Sequence, residues 1–342
     1  MSVEILKQLC TTPWVSGSEY LAEDVIKALF GPLGTVQKTA LGSYIINIVP
    51  PKAGGAHIAL DAHLDQIGLI VTHIDQNGFV RVSPVGGIDR RQMPASTVTI
   101  LGSEPVKGVV SVLAPHLAAL GSGDDLPEIQ DLYIDTGYSA DKLRTLVKEG
   151  DLVCLDSNFV SLSDDLVSGG SLDNRVSVYA QYLAAKKIKE SGFTGCGVSV
   201  LLTCREEIGG QGAATGGFAG NFTHAIVVDV SFAMSHGCDE TTCKYLQKGP
   251  MVGYSPILDR DMYKDLCAVA KQENIDYQTE IMNGRTGTDS DSLTNIAGGI
   301  KTAMISIPQR YMHSPCEVCS LQDINATAEL IAAFVQKRGE LL

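Results

Sequence analysis

The chain has 342 residues, of which 44% are hydrophobic, 19% charged and only 6% aromatic. A formal net charge of −13 argues against a nucleic-acid partner or docking on an anionic membrane, since both need clustered positive charge. No apolar run approaches the roughly 20 residues of a membrane helix. The start of the chain lacks a secretory pattern, and the nine cysteines read as reduced thiols, so the expected location is cytoplasmic and the Asn-x-Thr sequons at Asn221 and Asn325 read as coincidence.

In chain order, Ser16 and Glu19 form a capping-box pattern ahead of an amphipathic stretch through Phe30. Strands are expected at Tyr44–Val49 and Ile58–Ala62, the second running into His63 and Asp65. From about Ile67 to Val167 the texture is β-rich. Leu69–His73 and Phe79–Val82 flank the turn signal Asp75-Gln-Asn-Gly78. Thr97–Leu101, Val106–Leu113, Leu132–Ile134 and Leu152–Leu155 follow, with one helix at Ala140–Lys148 capped by Ser139. After Gly170 the α/β texture returns: helices at Asn174–Lys189, Asp261–Gln272 and Leu321–Gln336, the last capped by Ser320, and buried-type strands at Val198–Thr203, Ala225–Val228 and Thr302–Ile307. The pattern predicts an α/β domain in two parts, 1–66 and 168–342, interrupted by a β-rich, barrel-like module at 67–167.

The chemistry gathers where apolar strands end, which in open α/β sheets is where ligands bind. His63, Glu206-Glu207, Asp229 and His313 each follow such a strand, and Asp173 opens a helix. Alone, Asp173 reads as an N-cap. Asp229, inside Val-Val-Asp-Val, needs a partner in its apolar strand. Two imidazoles with three carboxylates suit zinc, cobalt or manganese. Five ligands are too many for one catalytic zinc and fit two metals sharing a carboxylate and a water. Asp65 has the place of a carboxylate that orients the His63 imidazole. Glu206 and Glu207, taken as extended chain, point to opposite sides and so divide their labour. His57, His73, His116 and His224 read as ordinary residues, and His236 stands beside the site without a ligand role. Cys316 and Cys319 have zinc-knuckle spacing that Cys238 and Cys243 would complete too irregularly to support a metal. Gly209-Gly-Gln-Gly212 lacks the Lys-Ser/Thr of a phosphate loop.

Several motifs together are familiar: Ala62-His-Leu-Asp65-Gln-Ile-Gly68, Leu172-Asp-Asn-Arg175, Arg205-Glu-Glu-Ile-Gly209, Val228-Asp-Val230, Gly287-Thr-Asp289 and Tyr311-Met-His313-Ser-Pro315. They resemble the glutamyl aminopeptidase/tetrahedral aminopeptidase family of dinuclear metallopeptidases, some members of which are labelled endoglucanases. The resemblance covers nearly the whole chain. It implies a zinc-peptidase-like mixed sheet flanked by helices, with the barrel-like domain inserted. It implies two divalent metal ions, zinc or cobalt: His63 and His313 bind one each, Asp173 bridges, Glu207 and Asp229 complete the two sets, Glu206 is the general base and Asp65 orients His63. The implied substrates are short peptides shortened from the N-terminus, and the inserted domain is expected to drive self-association into a dimer or dodecamer. Gly169-Gly-Ser171-Leu172 and Thr286-Gly287 depart from the family pattern near the substrate. The alternatives are a dinuclear amidohydrolase acting on N-acyl amino acids, a metal-free glycosidase with two carboxylates, and a non-catalytic scaffold.

Overall fold

The structure is a computed structural model and describes residues 3–112 and 127–341; His116 and the end of the predicted Val106–Leu113 strand lie outside them. The mostly apolar runs become the central strands of a large mixed sheet. His57–His63 lies between Gly197–Thr203 and His224–Phe232, parallel to both, and His224–Phe232 is parallel in turn to Lys301–Arg310. Such strands are covered on both faces, which removes the alternation of a half-wet strand. Ile58, Leu60 and Ala62 pack into one core with the helices Leu172–Glu190, Arg260–Gln272 and Leu321–Arg338. Ala59 packs into a smaller one with Gln211–Gly220 and Ser290–Leu293.

Antiparallel strands extend the sheet both ways. Tyr44–Val49 and Thr35–Lys38 continue it beyond Gly197–Thr203, and Glu317–Ser320, Leu166–Gly169 and Val160–Ser161 continue it beyond Lys301–Arg310. Met251–Tyr254 pairs with Lys301–Arg310 and carries Gln278–Ile281 alongside. Two strands outrun their apolar cores: His224–Phe232 passes through Asp229 instead of ending there, and Lys301–Arg310 continues past Ile307.

Between Gly68 and Leu155 the chain closes a barrel in the order Gly68–Ile74, Val80–Val85, Tyr133–Asp135, Pro105–Ser111, Thr97–Leu101, Leu152–Leu155, the last pairing back on the first. Every second residue of Pro105–Ser111 is buried, the period of a strand with one solvated face. The barrel has its own core, including Leu69, Val71, Val98, Ile100 and Ile134. Its first hairpin turns where Asp75 Oδ1 accepts from the amides of Asn77 and Phe79. The helix expected at Ala140–Lys148 is only Ala140–Leu143, and Ser139 makes no side-chain cap. Leu143 and Val147 are both drawn into the barrel core, and Arg144 donates to the Ile74 and Asp75 carbonyls, so tertiary contacts tighten the segment into turns.

One buried cation ties the helical layer to the sheet. Arg175 is fully buried, donates to the Leu9 carbonyl and to Gln66 Oε1, and lies 4.1 Å over the ring of Trp14. Burial pushes its pKa down to about 10. Asp173 and Asn174, just before it, have non-helical backbone angles, so the regular helix starts at Arg175 and Asp173 belongs to the turn leading in. Among the described residues no helix is long and apolar enough to cross a membrane.

Candidate active site

The central strand delivers His63 as a buried imidazole whose Nδ1 lies 3.0 Å from the Asp65 carbonyl. A carbonyl only accepts, so in the neutral ring Nδ1 carries the proton and the Nε2 lone pair faces the cleft. What it meets there are acceptors: Asp173 Oδ1 at 3.2 Å, Asp229 Oδ1 at 3.7 Å and Glu206 Oε2 at 4.0 Å. His313 repeats the arrangement. Its Nδ1 is 3.0 Å from the Gly87 carbonyl, and its Nε2 is 3.4 Å from Glu207 Oε2 and 3.5 Å from Asp173 Oδ2. Asp173 thus presents one oxygen to each imidazole, and its buried Oδ1 makes no hydrogen bond.

Lone pairs set against carboxylates at these distances require positive charge between them. Protons are one source, and the balance of burial and neighbouring charge sets how strongly the site draws them. Burial would lower the His63 pKa, but Asp229 and Asp173 hold it well above its ordinary value. The contact with Asp173 pushes His313 up to about 9. Burial would raise Asp173, but His313 and His63 pull it below the usual carboxylate range. Burial pushes Glu207 up to about 8, Glu206 up to about 10, and Asp229 upward. Divalent cations relieve the same crowding by displacing protons from the ligands, and mixed imidazole and carboxylate donors suit borderline metals. Donor atoms of His63, Asp173 and Glu207 all lie within 4.8 Å of one another. The residues present therefore fit divalent metal.

The two glutamates sit in a turn, not on extended chain. Arg205 has φ +59°, and its amide is held by Glu19 Oε1 at 2.9 Å. The next two amides point at Asp65: Glu206 N donates to Oδ1 at 2.9 Å and Glu207 N to Oδ2 at 3.2 Å, while the Ser16 hydroxyl donates to Oδ2 at 2.5 Å. Ser16 therefore does not cap a helix, and the regular helix begins only at Glu23 after the 3₁₀ turn Glu19–Ala22. Asp65 stands differently from its sequence expectation too. Its carboxylate is 3.8 Å from His63 Nδ1 and is occupied by the glutamate turn, while its carbonyl orients the imidazole.

Two residues of this site escaped the sequence reading. Glu317 is buried; Oε1 accepts from the His313 amide at 2.9 Å and Oε2 from the Asp173 amide at 3.1 Å, so it holds the backbone behind both residues. A carboxylate inside a buried strand was the available signal, obscured by the flanking cysteines. Gly87 leaves room for His313: a Cβ there would lie 2.9 Å from Nδ1. Elsewhere His236 is exposed. Cys316 is exposed, and buried Cys319 donates to Gln309 Oε1. Among the described residues the cysteines form no metal-ligand group.

Imidazoles and carboxylates gathered beyond the parallel strands, around a cavity of ≈ 460 Å³, define a hydrolytic active site on an α/β sheet. The sequence model of the M42 glutamyl aminopeptidases matches residues 42–330, and the chain belongs to this family of divalent-metal peptidases. The lysyl aminopeptidase of Pyrococcus furiosus is 30% identical, with 98% of this chain and 96% of that one covered. An aminopeptidase of the archaeon Desulfurococcus kamchatkensis has the same fold, with a TM-score of 0.89 at 26% identity over 98% of this chain and 94% of that one. The TET1 peptidase of Pyrococcus horikoshii matches at TM-score 0.85 and 27% identity over 98% and 99%, and that protein can assemble into a tetrahedron or a large octahedral shell.

Proposed function

We propose that the chain is an aminopeptidase that removes N-terminal residues from short peptides and holds two divalent cations, zinc or cobalt. The observation that carries this reading is the Asp173 carboxylate set between two imidazoles whose Nδ1 atoms are fixed on backbone carbonyls. Asp173 would be shared, with His63 and Asp229 on one side and Glu207 and His313 on the other, as their mutual distances group them. Cations held there supply Lewis acidity, polarising the scissile carbonyl and making water a nucleophile near neutral pH. Glu206 is the carboxylate left for proton transfer: it takes the proton of the attacking water and delivers it to the leaving amine. Asp65 and Glu19 support it by fixing the turn that carries it.

The barrel is proposed as the module through which copies associate, into a dimer or a dodecamer. The division into 1–66 and 168–342 with 67–167 inserted goes with that role. Strand pairing favours a second boundary nearer Leu155, because Val160–Ser161 and Leu166–Gly169 already join the large sheet. The test is to strip the protein, reconstitute it with zinc or cobalt, and measure metal content together with turnover of aminoacyl-p-nitroanilides and their N-acetylated forms. Two metals per chain and a requirement for the free amine are expected. Full activity with one metal would remove the shared role of Asp173, and release of acetate from N-acetyl amino acids, with no p-nitroaniline from the free-amine substrates, would make the enzyme an amidohydrolase of N-acyl amino acids.

A further inference from the structure

We infer that Glu280 makes the cleft selective for peptides whose N-terminal residue is basic, lysine or arginine. The inference rests on the aminopeptidase reading above and assigns its substrate class. Gln278–Ile281 lies outside the ligand-bearing strands, but Glu280 reaches back to them. Ser306 stands beside Asp229 in the parallel register of the two central strands, and its hydroxyl donates to Glu280 Oε2 at 2.6 Å. The Ser231 hydroxyl donates to Oε1 at 2.5 Å. Glu280 and Ser231 line the same cavity as His63, Asp173 and Glu207.

Both partners of this carboxylate are neutral. Hydroxyls orient a carboxylate without cancelling its charge, and among the described residues no lysine, arginine or histidine is paired with Glu280. A half-buried carboxylate, aimed by two hydroxyls and lacking a cation, is a preformed site for one. The same cavity is also lined by Met282, Met304 and Met312. These flexible apolar side chains accommodate the alkyl stem that lysine and arginine bury while their charged heads find a partner.

Lys244 also lines the cavity and would draw an acidic residue instead. The two differ in preorganisation. Lys244 is half-exposed, and its ammonium makes no hydrogen bond or ion pair among the described residues, so binding through it must freeze a long flexible arm. Glu280 is already fixed, and the fixed charge sets the preference.

The experiment uses the zinc-reconstituted wild-type chain on lysyl, arginyl, leucyl and glutamyl p-nitroanilides. The lysyl and arginyl substrates should lead in kcat/KM by roughly 10-fold or more. In Glu280→Gln the lysyl-to-leucyl ratio should fall by roughly 10- to 100-fold, mainly through KM. Glu280→Asp keeps the charge and should keep the preference, a control should Glu280→Gln fold poorly. A wild-type enzyme led by leucyl or glutamyl substrates would overturn the inference while leaving the aminopeptidase standing. An equal loss on every substrate in Glu280→Gln would overturn it as well, placing the carboxylate on the α-ammonium. Turnover of no free-amine substrate would sink the aminopeptidase reading, and this inference with it.

Discussion

Gly87 offers a way to disturb the site without disturbing the fold. It follows the barrel strand Val80–Val85 and reaches across to His313. A methyl group there would sit 2.9 Å from Nδ1 and 3.1 Å from Cε1 of that ring. Carbon contacts relax near ~3.5 Å, so the imidazole of Gly87→Ala must retreat by about 0.6 Å. Functional constellations tolerate displacements of only about 0.5 Å, and losing the group that orients a ligand imidazole typically costs about 10- to 100-fold in metal affinity. Folding should hardly notice. The His313 side chain is 32% exposed and has room to move, while replacing a glycine stabilises by about 0.4–1 kcal/mol through the unfolded chain. The expected result is a metal-free melting temperature within a few degrees of wild type, with one of two metal affinities reduced by roughly 10- to 100-fold. Competition against a chromophoric chelator, beside a thermal melt of the stripped protein, measures both. Two unchanged affinities would refute the role assigned to Gly87, and a collapsed melt with normal affinity would make that role purely structural.

Glu206→Gln should retain both metals while kcat falls by roughly 10²–10⁴-fold, and Glu207→Gln should first lose metal affinity and recover part of its activity with added cobalt; rescue of the former and not the latter would reverse their roles. Arg175→Lys forfeits one of two buried hydrogen bonds and the guanidinium over the Trp14 ring, so the denaturant midpoint should drop by the equivalent of about 2–3 kcal/mol; an unchanged midpoint would contradict that. His57 donates to Ser199 Oγ beside Phe222, and burial lowers its pKa from 6.5 to about 4. The unfolded chain then binds more protons between those values, so stability present above pH 6.5 is lost as pH falls toward 4. His57→Gln should lose less stability than wild type between pH 7 and 5, and an equal loss in denaturant titrations would show that His57 is not the sensitive group.

How legible the site was depended on where the information lay. Ile58–Ala62, Val198–Thr203 and Thr302–Ile307 are mostly apolar, with single buried polar residues such as Asp61, Ser199 and Ser306, because both sheet faces are covered, and that pattern is local. Convergence of His63, Glu207, Asp229 and His313 followed from the general geometry of such sheets. Asp229 was located, although its strand runs on to Phe232 because pairing with Lys301–Arg310 continues through polar residues. Opposite directions for Glu206 and Glu207 were expected from strand alternation, whereas the chain has left the strand there: Arg205 is left-handed and the amides of both glutamates are anchored on Asp65. No local pattern announces that bond. Glu317 and Gly87 were illegible for the same reason: each acts on His313 through contacts that exist only after the chain has closed. The shortened helix at Ala140–Leu143 shows tertiary packing overriding an adequate local propensity.

Trp14 is the chain's sole tryptophan, and its burial against Arg175 makes the protein its own optical gauge. The indole's backbone pairs with Gln66, which also accepts from Arg175, two residues from Asp173. A change in emission colour as water reaches the ring would therefore register the opening of the large α/β core at the base of the site. The barrel, with a separate core and no indole, would be silent in that signal. Far-ultraviolet dichroism sees both cores, so comparing the two melts would show whether they dissolve together or in sequence.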